Sequence, residues 1–169
     1  MEQQDARTLV ETGVMRNGLR KTKGDGASTV VYGLWAKQHQ AMLHSVDIDP
    51  VAIEAAKNEL EILGLDGIVH LTASDSVAFL KAFPEPVDFL YLDSYDYDKK
   101  DIAIQQASQL HHLKEFKSIE SKLHSKSLVL IDDCDLPGGG KGKQVIEYMK
   151  TKSWKIISDD YQVLLGRNP

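Results

Sequence analysis

Short apolar runs of strand length alternate with stretches of helical periodicity from one end of this chain to the other. That pattern calls for a mostly parallel sheet covered by helices. The spacing predicts strands at 8–12, 43–48, 68–72, 87–92, 127–131, 154–158 and 162–165. It predicts helices at 27–40, 50–63, 75–83, 101–123 and 141–152. Asp49-Pro50 reads as a helix start, because Asp accepts from free backbone N–H groups and Pro suits the first helical position. Gly64 reads as the left-handed stop, and Ser74 or Asp75 as the cap of a short helix. Pro84 and Pro86 break the chain before the fourth strand, and Gly138-Gly139-Gly140 reads as a flexible turn. The last two strands are too closely joined for a crossover, so they form a hairpin and the final one runs antiparallel. Seven strands and five helices result, with no repeat or linker, as expected for one domain over 1–169.

Composition removes several classes. A chain of 169 residues buries roughly two thirds of its unfolded surface and needs no staple. The net charge of −5 argues against a general basic surface for nucleic acid. Cys134 is the single cysteine, so no internal disulfide forms and a reducing compartment fits. The polar N-terminus and the lack of an apolar run of about 20 residues point to a soluble, cytoplasmic protein.

The chemistry is expected at the carboxyl ends of the strands, where open parallel sheets bind ligands. Acidic and hydroxyl residues gather there: Glu11 and Thr12 before Gly13, Asp47-Ile48-Asp49, Ser74-Asp75, Asp93-Ser94, and Asp132-Asp133. Asp47 follows a Gly-rich turn by about 20 residues, which suits two hydrogen bonds to ribose hydroxyls. The loop from Gly13 to Gly26 carries glycines for close backbone approach, and Ser28 and Thr29 open the following helix. Its middle is a basic insertion, 16–23, with Arg16, Arg20, Lys21 and Lys23. A carboxylate such as Glu11 beside this loop repels a pyrophosphate and welcomes an ammonium or sulfonium.

These stretches together resemble the class I S-adenosylmethionine-dependent methyltransferases, and in particular small O-methyltransferases of the catechol O-methyltransferase type. The matching segments are Val10-Glu11-Thr12-Gly13 with Asp25-Gly26-Ala27-Ser28-Thr29, then Ser45-Val46-Asp47-Ile48-Asp49-Pro50, Thr72-Ala73-Ser74-Asp75, and Val87-Asp88-Phe89-Leu90-Tyr91-Leu92-Asp93. The resemblance implies an α/β, Rossmann-like fold whose seven-stranded sheet ends in an antiparallel hairpin, with helices on both faces. It implies that Glu11 and Gly13 lie near the methionine part of the cofactor, Asp47 at the ribose, Ser74 and Asp75 at the adenine edge, and Asp93 beside the reacting centre. Thr12, Gly26, Ser28 and Ile48 are expected among the cofactor-binding residues as well. The longer first loop departs from the family pattern.

The same resemblance suggests a metal. Asp93, Asp132 and Asp133 fall at adjacent strand ends, and an oxygen-only donor set favours Mg²⁺ or a similar ion. The family's lysine three residues after the first Asp is here Asp96, so Asp93, Asp96 or Lys99 is the expected general base. His111-His112 is expected on the surface of its helix, and Lys141 and Lys143 in a solvated turn or against an anionic substrate. Tyr95 and Tyr97 read as cleft-lining residues or loop anchors, and Cys134 as a bystander. The expected activity is methylation of a small molecule at oxygen, with the basic insertion pointing to an anionic acceptor, by a protein that is a candidate homo-oligomer. The alternatives are a non-catalytic nucleoside-binding domain acting as a partner subunit and a nicotinamide-dependent oxidoreductase.

Overall fold

The computed structural model describes residues 1–2, 5–19 and 26–167. Arg20, Lys21 and Lys23 of the basic insertion lie outside the described residues. The elements are β1 (Thr8–Thr12), α1 (Ser28–His39), β2 (Met42–Asp47), α2 (Pro50–Ile62), β3 (Val69–Ala73), α3 (Ser76–Ala82) and β4 (Val87–Leu92). They continue with α4 (Ile102–Ile119), β5 (Leu123–Ile131), α5 (Lys143–Lys150), β6 (Lys155–Asp159) and β7 (Val163–Gly166). Carboxylate caps set three of the helices. Asp49 accepts from Val51 N, Asp75 from Ala78 N, and Asp101 from Ala103 N and Ile104 N. Each satisfies amides that a first helical turn leaves unpaired. Gly64, at φ +62°, turns the chain out of α2 as expected.

The strands form one sheet in the order β3-β2-β1-β4-β5-β7-β6. β1 to β5 are parallel, and β7 runs antiparallel to both β5 and β6. The chain winds outward from β1 to β3 on one side and from β4 onward on the other. The crevice between β1 and β4 is therefore the topological switch point, where the first turns diverge and a ligand can enter.

Strand alternation divides the core in two. Leu9, Leu43, Phe89 and Tyr91 face α1 and α2 with Val30, Ala36 and Leu60. Val10, Leu90, Leu92, Val129 and Ile131 face α3 to α5 with Leu80, Phe116 and Met149. Among the described residues no helix is long and apolar enough to cross a membrane.

Three expectations about the second half need correction. The long helix ends at Ile119, a short 3₁₀ turn spans Glu120–Lys122, and Leu123 opens β5, where it pairs with Val87. Apolar spacing runs through both elements and conceals the boundary between them. The last helix begins at Lys143 rather than at 141, because Lys141 belongs to the folded loop before it. The third concerns the apolar residues spaced by three or four from Ala103 to Leu123, whose periodicity predicts that they form the buried face of α4. Ala103, Ala107 and Leu110 are exposed, while Gln105, Ser108, Gln109, His112 and Glu115 turn inward. Only the C-terminal end of α4, with Phe116 and Ile119, joins the apolar core.

Candidate active site

The parallel register brings the acidic strand ends onto one rim. Glu11 lies opposite Ser45 of β2 and Tyr91 of β4. Asp47 and Asp93 each lie two residues further along, on the same side of the pleat, flanking Gly13. Gly13 N donates to Val46 O at 2.9 Å, and Asp93 N donates to Thr12 O at 3.0 Å, so the two turns remain tied to the sheet. Gly13 has φ +84°, and a Cβ there would lie 2.5 Å from the backbone oxygen of Asp93. Only glycine permits this approach.

Two cavities open along the rim. The smaller, about 290 Å³, is walled by Asp47, Ile48, Asp75, Ser76, Tyr95 and His111, among others. Asp47 is held by two backbone amides: Val14 N donates to Oδ2 at 3.1 Å and Asp49 N to Oδ1 at 2.9 Å. Its oxygens keep lone pairs for further donors. The exposed side chains of Ile48 and Tyr95 supply apolar surface. Ser74 lines a different hollow beside Phe79 and Phe83, while Asp75 and Ser76 line this one.

The larger cavity, about 580 Å³, reaches from the first turn of α1 to the ends of β4 and β5. Gly26 and Ser28 form one side, Asp93, Asp133 and Lys141 another, and Tyr32 and Tyr161 line it too. Arg16 and Asp96 pair across its mouth at 2.9 Å, an exposed bridge that contributes little stability. Lys99 is exposed and does not line the cavity.

Glu11 is wholly buried and lies behind this wall. Ser45 Oγ donates to its Oε2 at 2.6 Å, and Oε1 has no partner among the described residues. Burial pushes its pKa from 4.5 up to about 7, against the lowering effect of the nearby hydroxyls of Ser28, Ser45 and Thr29. The folded state thus holds a proton that the unfolded chain has released, and stability falls as pH rises from about 5 through 7. Chemical denaturation at pH 5 and pH 8 is expected to show a wild-type loss on the order of 3 kcal/mol from this group, and Glu11→Gln should remove most of it. An unchanged pH slope in the variant would contradict this environment for Glu11.

Lys141 is the residue that sequence reasoning placed least well. It is 4% exposed, and its Nζ donates to Asp93 Oδ1 at 2.6 Å and reaches Asp133 Oδ2 at 3.1 Å. Burial works against its charge, but Asp93 and Asp133 more than offset this and raise its pKa. A basic residue after a glycine run reads as solvated, and no local signal marks it as folded inward. Asp93, Asp132 and Asp133 do converge as expected, with one oxygen from each within 4.8 Å of the others. The donor chemistry taken alone suits Mg²⁺, but the ammonium of Lys141 already lies against two of the three carboxylates. As arranged, the residues do not fit a divalent ion as well. Asp132 is further engaged by Gln162 Nε2 at 2.6 Å and Tyr161 OH at 3.1 Å.

The polar inner face of α4 braces both cavities, which accounts for its departure from apolar periodicity. Glu115, fully buried, accepts from Ser94 Oγ at 2.6 Å and lies 3.3 Å from His111 Nε2, which is also 3.0 Å from Ser76 Oγ. Burial alone would raise the Glu115 pKa, but His111 and His112 more than compensate and the carboxyl lies below its usual range. His112, expected at the surface, is fully buried. Its Nδ1–H donates to Ser108 O at 2.8 Å, and burial lowers its pKa. Tyr97 anchors a loop, donating to Pro137 O at 2.5 Å. Cys134 is a poor nucleophile, its thiol pushed up to about 12, chiefly by burial.

A seven-stranded Rossmann-like sheet with cavities and acidic strand ends along one rim is the arrangement of the class I, S-adenosylmethionine-dependent methyltransferases. A family model described as a methyltransferase domain matches residues 23–134, and the chain belongs to this methyltransferase family. Solved structures agree in fold. Podospora anserina methyltransferase PaMTH1, bound to S-adenosylhomocysteine, has a TM-score of 0.70 at 13% identity over 97% of this chain and 73% of its own. A candidate O-methyltransferase from Klebsiella pneumoniae has a TM-score of 0.70 at 16% identity, over 99% of this chain and 76% of its own. A candidate rRNA methylase from Clostridium thermocellum has a TM-score of 0.62 at 14% identity, over 96% and 90%. No curated protein matches the sequence.

Proposed function

We propose that this chain methylates an oxygen of a small molecule bound in the larger cavity. The observation that carries this is the cavity itself. Its volume of about 580 Å³ falls in the range of small-molecule sites. Its wall joins a buried ammonium and carboxylates to the tyrosines Tyr32, Tyr91 and Tyr161. Lys141 and Arg16 give it positive groups for an anionic acceptor, while the overall charge of −5 offers no general attraction for RNA.

When bound, S-adenosylmethionine supplies a methyl group activated on a sulfonium. In this reading Asp47 accepts from the two ribose hydroxyls, and Ile48 and Tyr95 flank the adenine with Asp75 at its edge. Thr12, Gly13, Gly26 and Ser28 bound the methionine portion. Glu11 acts from behind as a positioning residue, holding the first turn of α1 through Ser28 and Thr29. Asp93 lines the larger cavity, next in sequence to Ser94 of the smaller one, and orients the acceptor through Lys141, while Asp96 closes the mouth with Arg16. Fixing the acceptor oxygen in line with the methyl carbon can supply several kcal/mol of the barrier. Lys99 has no part in this arrangement, and Mg²⁺ is assigned no step.

Purified protein, methyl-labelled S-adenosylmethionine and a panel of hydroxyl- and carboxyl-bearing acceptors test the proposal. Label is expected in the small-molecule fraction. Label found only in rRNA or tRNA transcripts supplied in parallel would overturn it.

A further inference from the structure

Three carboxylates gathered in a partly buried site repel one another unless a cation lies among them. This chain supplies one of its own. The loop between Asp132 and Lys141 folds back until Lys141 N donates to Asp133 O at 3.1 Å. Gly140, at φ +59°, passes so close to the backbone of Asp133 and Cys134 that a Cβ would overlap them. Gln109 of α4, only 5% exposed, donates from one Nε2 to Gly138 O at 3.2 Å and to Gly140 O at 3.1 Å. The loop that carries the lysine is thus clamped before any ligand arrives. The outcome is an ammonium that donates to Asp93 Oδ1 at 2.6 Å and lies 3.1 Å from Asp133 Oδ2, at the wall of the larger cavity.

We propose that Lys141 is the resident cation of this cluster, standing in place of a divalent ion, and that its third N–H receives the acceptor oxygen. A metal would have to expel a buried, hydrogen-bonded ammonium and shed its own water, which Mg²⁺ does reluctantly. An acceptor oxygen needs only one donor pointing into the cavity, and the lysine supplies it without a change in the loop. Cation replacement rests on the cluster alone. The role of the third N–H rests also on reading the cavity as the methyl-transfer site. The metal-binding arm of the test requires no turnover, so failure of cation replacement is distinguishable from failure of the activity.

Mn²⁺ serves as the probe, its free-ion paramagnetic resonance signal being followed as protein is added without cofactor. Wild type is expected to leave the signal unchanged at about 1 mM ion, a range in which weak oxygen sites fill. Lys141→Met keeps the stem and removes the charge, and it should take up one Mn²⁺ at least about tenfold more tightly than wild type. Adding Asp132→Asn should abolish that uptake. Lys141→Gln serves as the second variant if circular dichroism shows that the first has not folded. Uptake of one Mn²⁺ by wild type that Asp132→Asn removes would overturn the proposal. So would failure of both folded lysine variants to gain uptake. For the third N–H, Lys141→Met is expected to raise the acceptor KM more than it lowers kcat, while the dissociation constant for S-adenosylhomocysteine stays within about twofold. An unchanged acceptor KM would remove that role.

Discussion

Replacing Asp47 with alanine is expected to weaken S-adenosylhomocysteine binding by roughly a hundredfold to a thousandfold, measured by titration calorimetry. The carboxylate is oriented by Val14 N and Asp49 N, so it meets a diol without reorganising. Each charge-assisted hydrogen bond contributes roughly 1.5–3 kcal/mol, and two of them at the lower end of that range, about 3–4 kcal/mol together, correspond to the stated loss. Asp49 should behave differently. It caps α2 through Val51 N, and its alanine variant should cost roughly 1 kcal/mol of stability while binding survives. If Asp47→Ala bound as tightly as wild type, the smaller cavity would not be the ribose site.

Gly13→Ala is expected to harm both the fold and the site. The positive φ alone costs a non-glycine residue roughly 1–2 kcal/mol. The contact with Asp93 O, at 2.5 Å, cannot relax by a rotamer change, because it is made to the backbone of a turn tied to the sheet, as the turn of Gly13 is. Overpacking of this kind costs roughly 1–3 kcal/mol more. The variant should lower the denaturation midpoint and also push the β4 turn, and with it Asp93, away from the β1 turn. Gly26→Ala provides the contrast. Gly26 has φ +70° but, among the described residues, nothing within 4 Å of a Cβ, so only the backbone cost applies. Equal stability losses at the two positions would contradict the close approach of β1 and β4.

Much of this architecture was readable from local chemistry. Asp49-Pro50, Asp75 and Asp101 announce helix starts because a side-chain oxygen beside free amides works within a few residues. The run at 87–92 announces β4 because a central strand is apolar on both faces. The rim was legible for a similar reason: parallel strands deliver their last residues to one edge, so Glu11, Asp47 and Asp93 had to meet there. What escaped were groups whose environment is made by distant segments. Lys141 is buried because a glycine turn returns it to Asp93, 48 residues away in sequence. His112 and Glu115 are buried because α4 packs polar groups against the loops that form the site, and periodicity registers only apolar stripes. Tyr161 and Gln162 reach Asp132 from the hairpin turn, a contact set by β7 pairing beside β5. Leu123 fits a helical and a strand pattern equally, and only its pairing with Val87 decides.

The central claim is that the two cavities form one site, with the nucleoside slot at the ends of β2 and β3 and the reacting centre beside β4 and β5. A crystal structure of the protein with S-adenosylhomocysteine tests it most directly. The account predicts the ribose hydroxyls on Asp47, the adenine between Ile48 and Tyr95, and the sulfur turned toward the cavity that Asp93 and Lys141 line. A ligand bound to the fully folded protein anywhere away from this rim, with Asp47 making no contact to it, would contradict the account.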